Sequence, residues 1–396
     1  MPEKRLSRSK TGTVKLQRRG LILSQKIILL GILALILTPL KLLGDGGPAH
    51  RVDQPFPIRL GTSGGNINDI SKAFCYGGTL GALVQDAAAQ YILSNNHVLA
   101  RTNRASTGED IIQPGLIDQS PTCAKDTNDV VADLSAFVPI LFKSKGVTPS
   151  NAVDAAIAQV RSGAVDPSGY ILDIEVINSD ILPPTLNLAV KKSGRTSGLT
   201  HGTITAVNAT VDVSYGSGKT ARFVNQIFVG PGGFIASGDS GSLMVEDVAT
   251  APRAIGLLFA GSSSVAVANP IQPVLNAFNV TMVGSSSSAG LFWKTIAWLK
   301  RFASVAETLA ASQQLPGQVD SAAVDAVTRV KERHEGKLLA TPGVVGVGVG
   351  LSDTVPDQPV IEVYVKKITD SLQRTLPGSL DGVQVKIVET GEIFAY

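Results

Sequence analysis

Cysteine, histidine, methionine and aromatic residues are all scarce in this 396-residue chain: two Cys, four His, three Met and 5% Phe, Trp and Tyr. No CxxC or HxxxH spacing occurs, so the sequence offers no metal-ligand set and implies no metal or other cofactor. Charge is sparse too, at 17%. The formal net charge of +3 hides an asymmetry: residues 1–26 carry eight Lys or Arg against Glu3 alone, while the other 370 residues carry 27 basic and 31 acidic groups. The globular part is therefore mildly acidic and presents no basic face for nucleic acid. Glycine is abundant, with 40 residues, and hydrophobic content is 44%, which suits a β-rich protein with many tight turns.

The basic run precedes an uncharged apolar stretch of 14 residues, Ile27 to Leu40. Positive charge followed by an apolar core marks a secretory signal or an N-terminal anchor. Fourteen residues fall short of the roughly 20 that span a bilayer. Lys26 and Lys41 can snorkel, however, and Leu21-Ile22-Leu23 and Leu42-Leu43 extend the stretch. Gly47-Pro48-Ala49 is a poor cleavage site, so an uncleaved transmembrane helix is the expectation, with a secreted or periplasmic protein if the signal is removed. Either way the remainder lies outside the cytoplasm. Two thiols, Cys75 and Cys123, can pair there.

Five segments follow from composition. Residues 1–43 are the basic tail and membrane anchor or signal, and 44–57 a Gly- and Pro-rich linker that includes His50. From 58 to 283, short β-branched runs such as Thr203–Val207, Thr210–Val213 and Gln226–Val229 alternate with Gly, Asn, Ser and Asp turns, the pattern of an all-β sandwich or barrel. A short helix over 271–278 closes it. Residues 284–318 hold a Ser-rich linker and an amphipathic helix from Leu291 to about Ser312, which packs on a neighbouring domain or lies on a membrane surface. Residues 319–396 read as α-β-β-α-β, a small α+β domain with its own sheet. Its Gly343–Leu351 run is a strand with one glycine face. A nucleotide-binding loop is excluded because position 351 is Leu, so Gly-x-Gly-x-x-Gly fails from Gly346.

Chemistry concentrates at two motifs, Ser94-Asn95-Asn96-His97-Val98-Leu99 and Gly238-Asp239-Ser240-Gly241-Ser242. A serine flanked by glycines sits where the backbone can turn sharply, letting the Gly238 and Ser240 amides converge. Serine needs an adjacent base to become a nucleophile, and the base needs an orienting acid. His97 ends an apolar strand and is the candidate base. His201 lies in a turn and is the rival. His334 belongs to a charged helix. For the acid, Asp154 lies among small apolar neighbours and reads as buried, a position that demands a hydrogen-bonding partner. Asp133 competes, and Asp129 reads as a loop residue. The Gly-x-Ser-x-Gly elbow of α/β-hydrolases is excluded because position 242 is Ser and the histidine precedes the serine.

These motifs, with Phe74–Leu80, Val153–Ala156, Ile255–Leu258 and Gly261, occur in an order that resembles the trypsin/chymotrypsin-like serine peptidases over residues 55 to 283. Lys192–Ile204 resembles a bacterial branch that is also similar to plant Narrow Leaf proteins. The resemblance implies an all-β double barrel and hydrolysis of a polypeptide substrate through catalytic His97, Asp154 and Ser240, with an oxyanion hole at Gly238 and Ser240. It places the primary substrate pocket at Phe234, Phe259, Ala260 and Gly261. None of these is acidic, so a preference for small or medium apolar side chains is expected rather than Lys or Arg. Cys75 falls where the family has a cysteine that pairs near the histidine, but Cys123 departs from the usual partner position, and the pairing is left open. An Ile-Val-Gly-Gly activation motif is absent before Cys75. The alternatives are a catalytically silent scaffold that binds peptides, and a protease-chaperone with a PDZ module; the C-terminal α-β-β-α-β order does not resemble the latter.

Overall fold

The structure, a computed structural model, describes residues 48–71, 74–286 and 319–396. The expected N-terminal anchor and the 291–312 helix lie outside the described residues. Among the described residues no helix is long and apolar enough to cross a membrane.

The fold is mostly β. An eight-stranded sheet runs in the order Thr281–Met282, Ala82–Gln85, Gln90–Ser94, Ala156–Val160, Val130–Phe137, Asp110–Ile112, Thr62–Asn66, Gly78–Leu80. Strand Gln90–Ser94, inside the sheet, is paired on both edges, with Leu93 opposite Ala82 on one side and Ile157 on the other. Burial on both faces explains why Ile92 and Leu93 are consecutive apolar residues rather than alternating ones.

The second sheet has twelve strands, six of which close on themselves. Gly198–Ser214 pairs with Ala189–Gly194 on one edge and Thr220–Gly230 on the other; Leu243–Glu246, Ala254–Gly261 and Ala266–Pro270 complete the ring. An open half-barrel sheet beside a closed one fits the chymotrypsin-like arrangement expected from the motifs. Two expected strands, Thr203–Val207 and Thr210–Val213, are one strand of 17 residues. Register shifts between Ile204 and Val211, with Asn208 at φ 51°, bend it without ending it.

The C-terminal module has the expected order: helix Ser321–Leu339, strands Val344–Leu351 and Pro359–Val365, helix Asp370–Thr375, strand Val383–Glu389. Its sheet, however, is not separate. Val344–Leu351 pairs with Gly198–Ser214, setting Val349 against Val207 and Val347 against Thr210. The glycine face is what permits this: a Cβ on Gly346 would lie 2.9 Å from the Thr210 carbonyl oxygen. Val327, Val347 and Val363 share one apolar cluster with Ile204, Ile255 and Leu258 of the ring. The module therefore extends the second sheet instead of hanging on a linker. Within the expected 44–57 linker, the described residues 48–57 differ from a free linker, because His50 is 4% exposed and lies 3.0 Å from Ser193 Oγ through Nε2.

Candidate active site

Strand pairing assembles the site. Ser94 stands opposite Ala156 in the first sheet, so the residues just beyond, His97 in the short helix Asn96–Leu99 and Asp154 before Ala156, fall side by side. His97 Nδ1 lies 2.6 Å from Asp154 Oδ2, and the His97 amide donates to Oδ1 at 3.2 Å. Asp154 is fully buried and held from three further directions. The Tyr215 hydroxyl donates to Oδ2 at 2.7 Å, Asn269 Oδ1 accepts the Asp154 amide at 3.0 Å, and Asn95 Nδ2 donates to the Asp154 carbonyl at 2.7 Å. A buried carboxylate so placed fixes both the orientation and the tautomer of the imidazole. Burial and the Asp154 charge push the Tyr215 hydroxyl well above its ordinary range, so it remains a donor.

The competitors lie elsewhere. Asp133 pairs with Arg161 on the surface, and Asp129 accepts from Gln119. His201 is exposed and pairs with Asp247 at 2.8 Å, while His334 meets Asp381.

Ser240 sits on the turn leading into Leu243–Glu246, with Gly238 at φ 96° and Gly241 at φ 93°. A Cβ on Gly241 would lie 2.3 Å from the Thr79 carbonyl oxygen, so the turn packs directly on the first sheet. The amides of Asp239, Gly241 and Ser242 are bonded to the carbonyls of Ala236, Leu258 and Asp239. Those of Gly238 and Ser240 take no acceptor among the described residues. Ser240 Oγ donates to the Phe259 carbonyl at 3.1 Å, not to His97. His97 Nε2 instead lies 3.0 Å from the carbonyl oxygen of Tyr396. The Tyr396 amide in turn donates to the Phe259 carbonyl at 3.4 Å. Serine, histidine and the main chain of Tyr396 are thus joined by one chain of contacts.

Acceptors face both ring nitrogens of His97, an arrangement that suits the doubly protonated ring. Burial would lower its pKa, but the Asp154 charge and hydrogen bond, followed by the Tyr396 carbonyl and the more distant Asp69, outweigh it and hold His97 above its ordinary value.

Among the expected pocket residues, Phe259 turns its ring onto Phe223, 4.7 Å between centroids, and Phe234 packs toward Gly202. The strand meets the cleft through the Phe259 carbonyl and the backbones of Ala260 and Gly261. Cys75 and Cys123 are joined by a disulfide. Among the described residues no cluster of His, Cys, Asp and Glu suits a metal ion.

Three contributors escape a reading of the sequence. Lys192, noted there only as the start of the stretch Lys192–Ile204, is fully buried and its Nζ lies 3.1 Å from Asp239 Oδ2. Asp239 also accepts from the amides of Thr196, Ser197 and Ala236. Burial opposes its ionisation, but Lys192 and these donors more than compensate and hold the carboxyl below its ordinary range. Burial outweighs Asp239 at Lys192 and draws the ammonium below its own. Tyr215 is the second, without a local signal; the third is the seat of Tyr396 at His97, since the apolar tail Ile393–Tyr396 is visible in the sequence but its place is not.

No family model and no curated protein matches the chain. Solved structures do. One is a glutamic-acid-specific serine protease described as using a histidine triad in substrate binding, 22% identical, covering 57% of this chain and 100% of its own, with a TM-score of 0.39. Others are protease A of Thermobifida fusca, at 17% identity, 58% and 99% coverage and TM-score 0.39, and a chymotrypsin of Cellulomonas bogoriensis, at 17%, 58%, 99% and 0.37. The chain is similar to bacterial chymotrypsin-like serine proteases. At these scores the likeness assigns no residue a role.

Proposed function

We propose that the chain is a serine endopeptidase in which His97, Asp154 and Ser240 act as base, orienting acid and nucleophile. The observation that carries this is the linked set of contacts from Asp154 through His97 to a main-chain oxygen of Tyr396, and from the Tyr396 amide through the Phe259 carbonyl to Ser240. With the Tyr396 carbonyl withdrawn, Nε2 of a neutral His97 is free to accept the Ser240 proton. Rotation of Oγ away from the Phe259 carbonyl brings it into play. The oxygen attacks the substrate carbonyl, and the Gly238 and Ser240 amides receive the developing oxyanion, worth about 10²–10³ in rate per donor. His97 returns the proton to the leaving amine, and water resolves the acyl-enzyme.

The same reading keeps residues 1–26 in the cytoplasm, sets the apolar run that follows in the membrane and puts the catalytic unit outside the cytoplasm. The charge asymmetry across Ile27–Leu40 and the Cys75–Cys123 disulfide support it, since disulfides persist in oxidising compartments.

A second reading, a silent peptide-binding scaffold, is favoured by one feature: Ser240 and His97 are each hydrogen-bonded to other groups. Hydrolysis of peptide esters by the full chain and by its Tyr396→Asp variant separates the two. The peptidase reading predicts that adding Ser240→Ala or His97→Ala lowers turnover by several orders of magnitude, and Asp154→Asn by about 10⁴. Turnover unaffected by Ser240→Ala rejects Ser240 as the nucleophile, and turnover absent throughout leaves the scaffold.

A further inference from the structure

The segment Ile393-Phe394-Ala395-Tyr396 crosses the cleft as an added strand. Phe394–Ala395 pairs antiparallel with Ala254–Gly261, setting Ala395 opposite Ala260 and Phe394 opposite Gly261. Its start is anchored, because Ile393 is fully buried and its carbonyl accepts from the Ser214 amide at 2.9 Å. Its end reaches the reacting groups: the Tyr396 carbonyl lies at His97 and the Tyr396 amide on the Phe259 carbonyl. Extended chains bind sheet edges in this way, backbone hydrogen bonds giving affinity and alternate side chains giving specificity.

The side chains show what the cleft accepts. The Tyr396 ring lies against Gly261, where a Cβ would come within 3.1 Å of Cε2 and 2.8 Å of Ile235 Cγ2. A Cβ there would also come within 2.9 Å of the Val265 carbonyl oxygen, so the glycine keeps this wall flat where the ring lies. Ala395 and Tyr396 also line a cavity of about 490 Å³ that includes His97 and Gly238 and extends to Tyr76, Ile117 and Arg195. That space admits more chain than the segment fills.

We propose that the cleft is selective for polypeptides with an aromatic residue at the position whose main-chain oxygen meets His97 and a small residue before it, and that residues 394–396 are its resident ligand, competing with such peptides. The proposal rests on the peptidase reading of the site, which it deepens. It replaces the small or medium side chain expected from the sequence with an aromatic one.

The test measures binding alone, in chains carrying Ser240→Ala, so that it is independent of turnover. Fluorescein-labelled Ile-Phe-Ala-Tyr is titrated by anisotropy into the otherwise unaltered chain, into one carrying Tyr396→Asp, and into one lacking residues 394–396. Two variants guard against misfolding of either, and circular dichroism identifies a folded one. The expected result is at least tenfold tighter binding once the resident segment is altered, and at least tenfold weaker binding of Ile-Phe-Ala-Lys to the same variant. Equal affinity with and without the segment, or no discrimination between Tyr and Lys, overturns the proposal. Discriminating binding in a chain whose Ser240 form shows no turnover sustains the proposal and rejects the peptidase reading.

Discussion

Replacing Lys192 by Met tests how the serine-bearing turn is held. In this chain the carboxylate beside the serine, Asp239, meets an internal lysine with both side chains at 0% exposure. Removing one partner of a buried ion pair costs about 3–5 kcal/mol, because the remaining charge stays desolvated. Asp239 keeps three amide donors, at 2.7, 3.1 and 2.9 Å, so the lower end, about 3 kcal/mol, is expected. That is more than a hundredfold in the folding constant. Urea denaturation measures it. The pH dependence carries the signature. In the native protein Asp239 is depressed, so its contribution is present at neutral pH and is lost as pH falls through that depressed value. Without Lys192, burial dominates and raises the carboxyl, which then protonates as pH falls. The stability gap should be widest near neutrality and shrink toward pH 4. Lys192→Met with Asp239→Asn should recover much of the lost stability, since no charge is left buried. A single variant as stable as the parent at pH 7, or a gap that grows on acidification, refutes the reasoning.

Tyr215→Phe removes one hydrogen bond to the buried Asp154 charge, worth about 1.5–3 kcal/mol. As a positioning residue it should cost roughly ten- to a hundredfold in kcat with little change in KM, measured on a peptide ester. Activity should rise with pH through a His97 titration above the ordinary histidine value, because the base is the neutral ring and Asp154 holds the proton on. Tyr396→Asp, which displaces the carbonyl from Nε2, should move that midpoint downward; a midpoint unchanged in the variant contradicts the contact.

The parts of the site legible in the sequence are those with local signatures. Asp154 was readable because its small apolar neighbours imply burial, and His97 because it ends an apolar strand. The rivals were less separable: His201 lies in a turn, but Asp133 has apolar neighbours like those of Asp154, and only strand alternation turns it to the surface, where it pairs with Arg161. Strand count in the second sheet was readable only coarsely, since a bulge at Asn208 looks in sequence like a turn. The rest is non-local. Lys192 resembles a solvated charge until the fold closes around it. The Gly343–Leu351 run announces a strand, but not that its bare face lets it join Gly198–Ser214. The docking of Tyr396 spans 299 positions to His97, and nothing near either residue encodes it.

The central claim, that Ser240 is an activated nucleophile, is tested most directly by a fluorophosphonate probe followed by peptide mass mapping. The probe reacts with a serine whose hydroxyl is activated by an adjacent base and whose oxyanion is received. The account predicts phosphonylation at Ser240 in the Tyr396→Asp chain, abolished by a further His97→Ala. A folded Tyr396→Asp chain that takes no label at Ser240, or takes it equally without His97, contradicts it.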